Sequence, residues 1–146
     1  MTEQDFADIS VAQWLANHPE FPVLVSATAT MHEVANDLLK ENSRDAYILD
    51  GENKVIGHLS FGNVTNHLLS EHRPIHTHRQ LFSRIIEPAA EEIMDPHFAY
   101  ARTDETLCEV IHRQLERGVD TLVVLADDGT LQGSIKLREL VAESLK

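Results

Sequence analysis

Two stretches decide the reading of this chain: TMHEVANDLLKENSRDAYILDGENKVIGHLSFGNVTNHLL (Thr30–Leu69) and TLCEVIHRQLERGVDTLVVLADDGTLQGSIKLRELVAESL (Thr106–Leu145). They align without a gap, 76 residues apart. Thr30, Glu33, Val34, Leu39, Leu49, Gly57 and Leu69 fall on Thr106, Glu109, Val110, Leu115, Leu125, Gly133 and Leu145. Met31 with Leu107, Ile48 with Val124, Val55 with Leu131, Leu59 with Ile135 and Val64 with Leu140 are conservative pairs. Internal repetition fixes architecture before any local pattern does. With only two copies the chain is a paired module rather than a solenoid.

Each copy has the same grammar. A short apolar strand, Val23–Val25 or Phe98–Ala101, precedes a helix opened by Thr30-Met-His-Glu33 or Thr106-Leu-Cys-Glu109. Both openings are capping boxes, in which the Thr hydroxyl takes a backbone N–H three residues on and the Glu reaches back. Met31, Val34, Ala35, Leu38 and Leu39 form a helical stripe, repeated as Leu107, Val110, Ile111, Gln114 and Leu115, with Gln114 its one polar member. Two strands follow, Ala46–Leu49 with Val55–Leu59 and Leu122–Leu125 with Leu131–Ile135. They are joined through Asp50-Gly-Glu-Asn53 and Asp127-Asp-Gly129, where Gly supplies the positive φ of a tight turn. Helices near 63–70 and 137–145 close the copies. The unit is β-α-β-β-α. About 50 residues of this kind leave a sheet face uncovered, and two units packed through their sheets bury it.

Composition bounds the function. Twelve Lys and Arg against 24 Asp and Glu give a formal charge of -12, which argues against non-specific binding to nucleic acid or an anionic membrane. An apolar fraction of 42% suffices for a core. No run of 18 apolar residues and no apolar signal segment is present, so a cytoplasmic protein is expected. Cys108 stands alone, within the second helical pattern, and reads as a small buried residue in a reducing compartment. Ser10 can cap a flanking helix to Ala16 with Val11, Trp14 and Leu15 as its apolar side; Trp14 suits either core or interface. A second flanking helix is expected within 80–94, marked by Leu81, Ile85 and Ile86 and interrupted at Pro88.

The doubled β-α-β-β-α order resembles a tandem pair of cystathionine-β-synthase (CBS) domains, or Bateman module. Glu92-Ile-Met-Asp-Pro96, Asp104-Glu-Thr-Leu107, Gly57-His-Leu-Ser60 and Gly133-Ser-Ile-Lys136 carry the resemblance over residues 11–146. It implies an α/β (α+β) fold of two pseudo-symmetric repeats. The divisions are an acidic lead at 1–10, repeat one at 11–70, a His-containing connection and helix at 71–89, and repeat two at 90–146. It further implies a free-standing, non-catalytic, homodimeric regulator with no required cofactor. Such a regulator takes an adenine-containing ligand (AMP, ADP, ATP or S-adenosylmethionine) in clefts between the repeats and signals to a partner protein.

The family's ligand motif is Gly, apolar, any, Thr or Ser, two residues, then Asp. Its hydroxyl meets phosphate and its Asp meets the ribose hydroxyls. Here repeat one has Ser60 and Asn63, and repeat two has Lys136 and Glu139. Asn63 loses charge assistance as an acceptor; Lys136 can serve a phosphate as a point charge. Glu139 keeps the acceptor charge one methylene further out, or is a solvated helix residue. The same resemblance places adenine against Leu24, Val25, Asp45, Ala46 and Tyr47 in one half. In the other half it is Tyr100, Ala101, Thr121, Leu122 and Val123, although apolar groups at such positions also serve as plain core. The departures leave open a ligand-free interaction scaffold with decayed sites.

A second constellation is histidine, since His67, His72, His76 and His78 fall within twelve residues. Imidazoles bind zinc, nickel and copper, which keeps a His-based metal regulator as an alternative. Pro74 interrupts the helical spacing of His72 and His76, and no ligand pattern emerges, so no metal site is assigned. A polar connection or a pH-tuned interface fits the cluster as well. No nucleophile elbow, zinc-hydrolase helix, dinucleotide fingerprint or phosphate-cradling glycine loop occurs, and no catalytic role is expected.

Overall fold

The structure, a computed structural model, describes residues 8–70 and 88–146. The element order is α1 (Val11–Asn17), β1 (Val23–Ser26), α2 (Met31–Lys40), β2 (Asp45–Leu49), β3 (Val55–Ser60) and α3 (Phe61–Ser70), then α4 (Ala90–Ile93), β4 (Tyr100–Ala101), α5 (Leu107–Arg117), β5 (Thr121–Leu125), β6 (Leu131–Lys136) and α6 (Leu137–Ser144). Two three-stranded sheets result, ordered β1-β2-β3 and β4-β5-β6. In each, the first strand runs parallel to the second, Leu24 opposite Tyr47 and Tyr100 opposite Val123. The helix between them supplies the crossover that a parallel pair needs.

The chain divides into two compact units. One gathers the described residues up to Pro22, Gly51–Val55 and His97–Lys146; the other holds Val23–Asp50 and the described part of Ile56–Pro96. The units therefore do not follow the order of the repeats. The segment before repeat one docks beside repeat two, and the segment before repeat two docks beside repeat one. Val11 N–H donates to Glu105 O at 2.8 Å and Ala12 N–H to Thr103 O at 3.1 Å. At equivalent positions of the other unit, Ala90 N–H donates to Ala29 O at 2.8 Å and Glu91 N–H to Ala27 O at 3.0 Å. Each flanking helix thus starts by filling carbonyls of the loop before the long helix of its own unit.

The two aligned glycines follow from this docking. A Cβ on Gly133 would lie 2.9 Å from Leu15 Cδ2, and one on Gly57 would overlap Met94 Sδ and lie 2.6 Å from its Cγ and 2.8 Å from its Cβ. Only a bare backbone admits the flanking segments so close to β6 and β3. In the hairpins, the residues with positive φ are Gly129 (90°) and, at the aligned position, Asn53 (62°). The turn expected to pivot on Gly51 pivots on Asn53, whose short amide side chain tolerates the left-handed region.

Each unit has its own core. Val23, Val25, Met31, Val34, Leu38, Ala46, Ile48, Leu59 and Val64 fill one; Val11, Trp14, Ala101, Leu107, Val110, Leu122, Val124, Ile135 and Leu140 fill the other. Gln114, the polar member of its stripe, is buried, and its Nε2 donates to Asp120 O and Ile135 O, both at 3.1 Å. These bonds satisfy the amide nitrogen and tie α5 to the ends of β5 and β6. Three expectations are corrected. Cys108 is exposed, since the second helical position faces away from the Leu107–Val110–Gln114 stripe. Leu39 and Leu115, at the flank of their stripes, are each 66% exposed. The strand expected from Phe98 starts only at Tyr100. Ser10 caps α1 in a reciprocal box with Gln13, and Thr106 does the same with Glu109. Thr30 takes Glu33 N–H at 3.2 Å. Of the expected second flanking helix, α4 is described and Leu81, Ile85 and Ile86 lie outside the described residues.

Candidate functional site

Strand alternation sorts the expected ligand residues onto two faces. In the first sheet Val25 and Ala46 point into the helix-covered core with Ile48 and Leu59. Leu24, Asp45 and Tyr47 take the opposite face, joined by a residue the motif did not flag, His58 on β3. Asp45 is 3% exposed, and its Oδ1 lies 2.7 Å from His58 Nε2. The His58 ring sits 4.9 Å from the Tyr47 ring, tilted by 43°. The signal was available, because His58 shares the alternation phase of Ser60 on a strand whose even positions face away from Leu59.

Ser60 and Asn63 engage each other where β3 meets α3. Ser60 Oγ donates to Asn63 Oδ1 at 2.6 Å, Asn63 N–H donates to Ser60 Oγ at 3.0 Å, and Ser60 N–H donates to Asn63 Oδ1 at 3.4 Å. This is a capping box for α3. It consumes the one proton of the hydroxyl and the amide oxygen that the motif would offer to a ligand.

In the second sheet Ala101 and Leu122 belong to the core beneath the helices, whereas Tyr100, Thr121 and Val123 take the other phase. Thr121 stands directly across from Lys136, the last residue of β6. The Lys136 ammonium reaches Glu20 Oε2 at 3.0 Å. Glu20 is itself pinned, since its carbonyl accepts from Ser134 N–H at 3.2 Å and Ser134 Oγ at 3.1 Å. Glu139, one turn into α6, is half-buried beside it. Burial, then a hydrogen bond with Glu20, raises the Glu139 carboxyl above its ordinary value. That bond, with help from Lys136, holds Glu20 below its own. The two carboxyls thus face each other beside the one ammonium, Glu139 the more readily protonated and Glu20 the more readily charged. His18 closes the neighbourhood, stacked on Trp14 with ring centroids 3.7 Å apart, its Nε2 3.9 Å from Glu143. Glu20 was not legible beforehand, because it sits 116 residues from Lys136 in sequence.

A cavity of about 500 Å³ opens beside β4, lined by Phe98, Tyr100, Arg102, Glu105, Arg113 and Arg117 among others. Its cations are engaged: Arg113 grips Glu105 at 2.9 and 2.6 Å, Arg117 donates to His97 O at 2.7 Å, and Arg102 pairs with Asp127. Of the histidine cluster only His67 is described; His72, His76 and His78 lie outside the described residues. Among the described residues no group of three or more His, Cys, Asp or Glu side chains is arranged to hold a metal, and no helix is long and apolar enough to cross a membrane.

The family model described as CBS domain matches residues 90–146. No curated protein matches the sequence. Among solved structures, a CBS-domain containing protein from Agrobacterium tumefaciens superposes with a TM-score of 0.73 at 14% identity, covering 99% of this chain and 98% of its own. CBSX2, solved in complex with AMP, gives 0.73 at 16% identity over 94% and 96% of the two chains. The CBS domain pair of protein MJ0100, solved with 5-methylthioadenosine and S-adenosylmethionine, gives 0.65 at 18% over 87% and 93%. The CBS-domain match thus covers residues 90–146, and the chain as a whole has the fold of a tandem CBS-domain pair.

Proposed function

We propose that this chain is a regulatory CBS pair that binds an adenine-containing ligand, AMP, ADP, ATP or S-adenosylmethionine, and passes its occupancy to a partner protein. The observation that carries the reading is the repeated placement of polar groups at the mouth of each closing helix. In one unit Ser60 and Asn63 stand there, with Asp45 and Tyr47 on the sheet face beside them; in the other it is Lys136 and Glu139, with Thr121 and Val123. The same fold holds AMP in CBSX2 and methylthioadenosine with S-adenosylmethionine in the MJ0100 pair. Mechanism follows from linkage: a ligand that prefers one arrangement of the chain shifts the population toward it, and the partner reads the shift. Such a role needs no catalytic step. A homodimer is part of the reading.

Thermal unfolding with each compound, with and without magnesium, tests it. A ligand at 100 times its Kd stabilises by about 2.7 kcal/mol, a Tm rise on the order of 5–10 °C for a chain of this size. The internal engagement of Ser60 with Asn63 and of Lys136 with Glu20 favours a second reading, a ligand-free interaction scaffold. An unmoved Tm at millimolar concentration of every compound supports that scaffold and ends the ligand reading.

A further inference from the structure

We propose that Glu20 sets the charge of the ligand taken by the second repeat, selecting an uncharged or cationic adenosine derivative over a phosphorylated one. The inference rests on the adenine-ligand reading above. Lys136 stands at the motif position that would meet phosphate, and its ammonium is already matched by Glu20 at 3.0 Å. Glu20 does not swing freely into that place. Its backbone carbonyl accepts two hydrogen bonds from Ser134, a buried residue of β6, so the side chain starts from a fixed point. A second carboxyl, Glu139, stands half-buried on α6 beside Glu20 and adds to the negative character of the place. A phosphate arriving here must displace a carboxylate from the ammonium and then sit against like charge, an arrangement that disfavours binding strongly. A thioether or sulfonium in its place meets no such repulsion, and a carboxyl such as Glu139 remains a fitting acceptor for ribose hydroxyls. Glu20, held below the ordinary carboxylate range by Glu139 and Lys136, keeps its charge throughout the neutral range. The first repeat offers no equivalent, because the residue aligned with Lys136 is Ser60, which bonds Asn63.

Isothermal titration of wild type with adenosine, methylthioadenosine, AMP and ADP gives the first test, and Glu20→Gln the second. Wild type is expected to bind methylthioadenosine at least about tenfold more tightly than AMP, and Glu20→Gln to narrow that ratio by about tenfold. Adding Lys136→Met to Glu20→Gln should cancel the gain in AMP affinity, which places it in the second repeat. Wild type binding AMP as tightly as methylthioadenosine overturns the proposal even if the variant is made in poor yield. So does a ratio unmoved by Glu20→Gln, or a gain that survives Lys136→Met. Failure of every adenosine compound to bind either protein at millimolar concentration overturns the adenine reading itself and this inference with it.

Discussion

Gly57 and Gly133 align in sequence and look interchangeable, yet their surroundings differ in what can yield. A methyl on Gly133 meets the far end of Leu15, which can change rotamer; a methyl on Gly57 meets Met94 from its Sδ back to its Cβ, and the Cβ moves only with the backbone. Both substitutions overpack, at a cost of about 1–3 kcal/mol. We expect Gly57→Ala to fall at the upper end and Gly133→Ala at the lower. Urea unfolding of the two variants reads the difference, and equal costs would show that the flanking segment, not the side chain, absorbs the strain. The sequence made both glycines conspicuous but tied them to the ligand motif. Their packing partners, Leu15 and Met94, were hidden because contacts across such sequence separations leave no local pattern. The same holds for Asp45 with His58 and for Lys136 with Glu20, the pairs that define the chemistry of the two sheet faces. Ser60 and Asn63 were legible as residues; that they satisfy each other was not, since a Ser three residues before Asn serves a helix cap as well as a ligand.

At the scale of elements, the helices were legible because caps and stripes are local. Thr30, Thr106 and Ser10 each accept the amide three residues on, as their spacing implies. The stripes overreached at Leu39 and Leu115, where the ninth residue of each helix rotates off the buried side. What secures α5 beyond its cap is the pair of Arg113 with Glu105 in the loop before it, together with the bond from Arg113 to Tyr100 O at 2.8 Å. The hydrogen bond from Arg113 is the main cause that lowers the Glu105 carboxyl below its ordinary value of 4.5. A carboxyl depressed by folding contributes stability that is present above its unfolded value and is lost as pH falls through the folded one. The stability of the protein should therefore decline below about pH 4.5. In Glu105→Gln that decline should be shallower, on a lower starting stability at pH 7. Glu139 has the opposite sign, since a raised carboxyl loses its contribution as pH climbs from 4.5 toward the folded value. Urea midpoints of wild type and Glu105→Gln from pH 3 to pH 7 separate the two. Parallel curves would mean that the Arg113 pair is too hydrated to matter.

For the whole molecule, the repeat predicts more than the fold, because equivalent positions inherit equivalent exposure. Leu39 and Leu69 in one unit are 66% and 62% exposed, and their counterparts Leu115 and Leu145 in the other are 66% and 80% exposed. Leu39 and Leu69 lie on α2 and α3, which pack side by side. Single exposed leucines are ordinary; in the proposed homodimer, the positions exposed in each repeat are the apolar groups a second copy of the chain would cover, presenting the same groups in return. Opposing this is charge. Each chain carries -12, so two copies repel, and screening matters because the Debye length contracts from about 30 Å at 0.01 M salt to about 3 Å at 1 M. Association driven by apolar burial against like-charge repulsion must therefore tighten as salt is added, the reverse of a dimer held by ion pairs. Sedimentation equilibrium at low and high sodium chloride should show the monomer fraction falling with salt. Leu39→Asp with Leu115→Asp should restore the monomer at both salts while leaving each core intact, since neither leucine belongs to one. A chain that stays monomeric at about 100 μM in high salt, a concentration far above the Kd of stable dimers, would assign the four leucines to a different protein or to none. In that case the signal would have to reach its partner from a single copy of the chain.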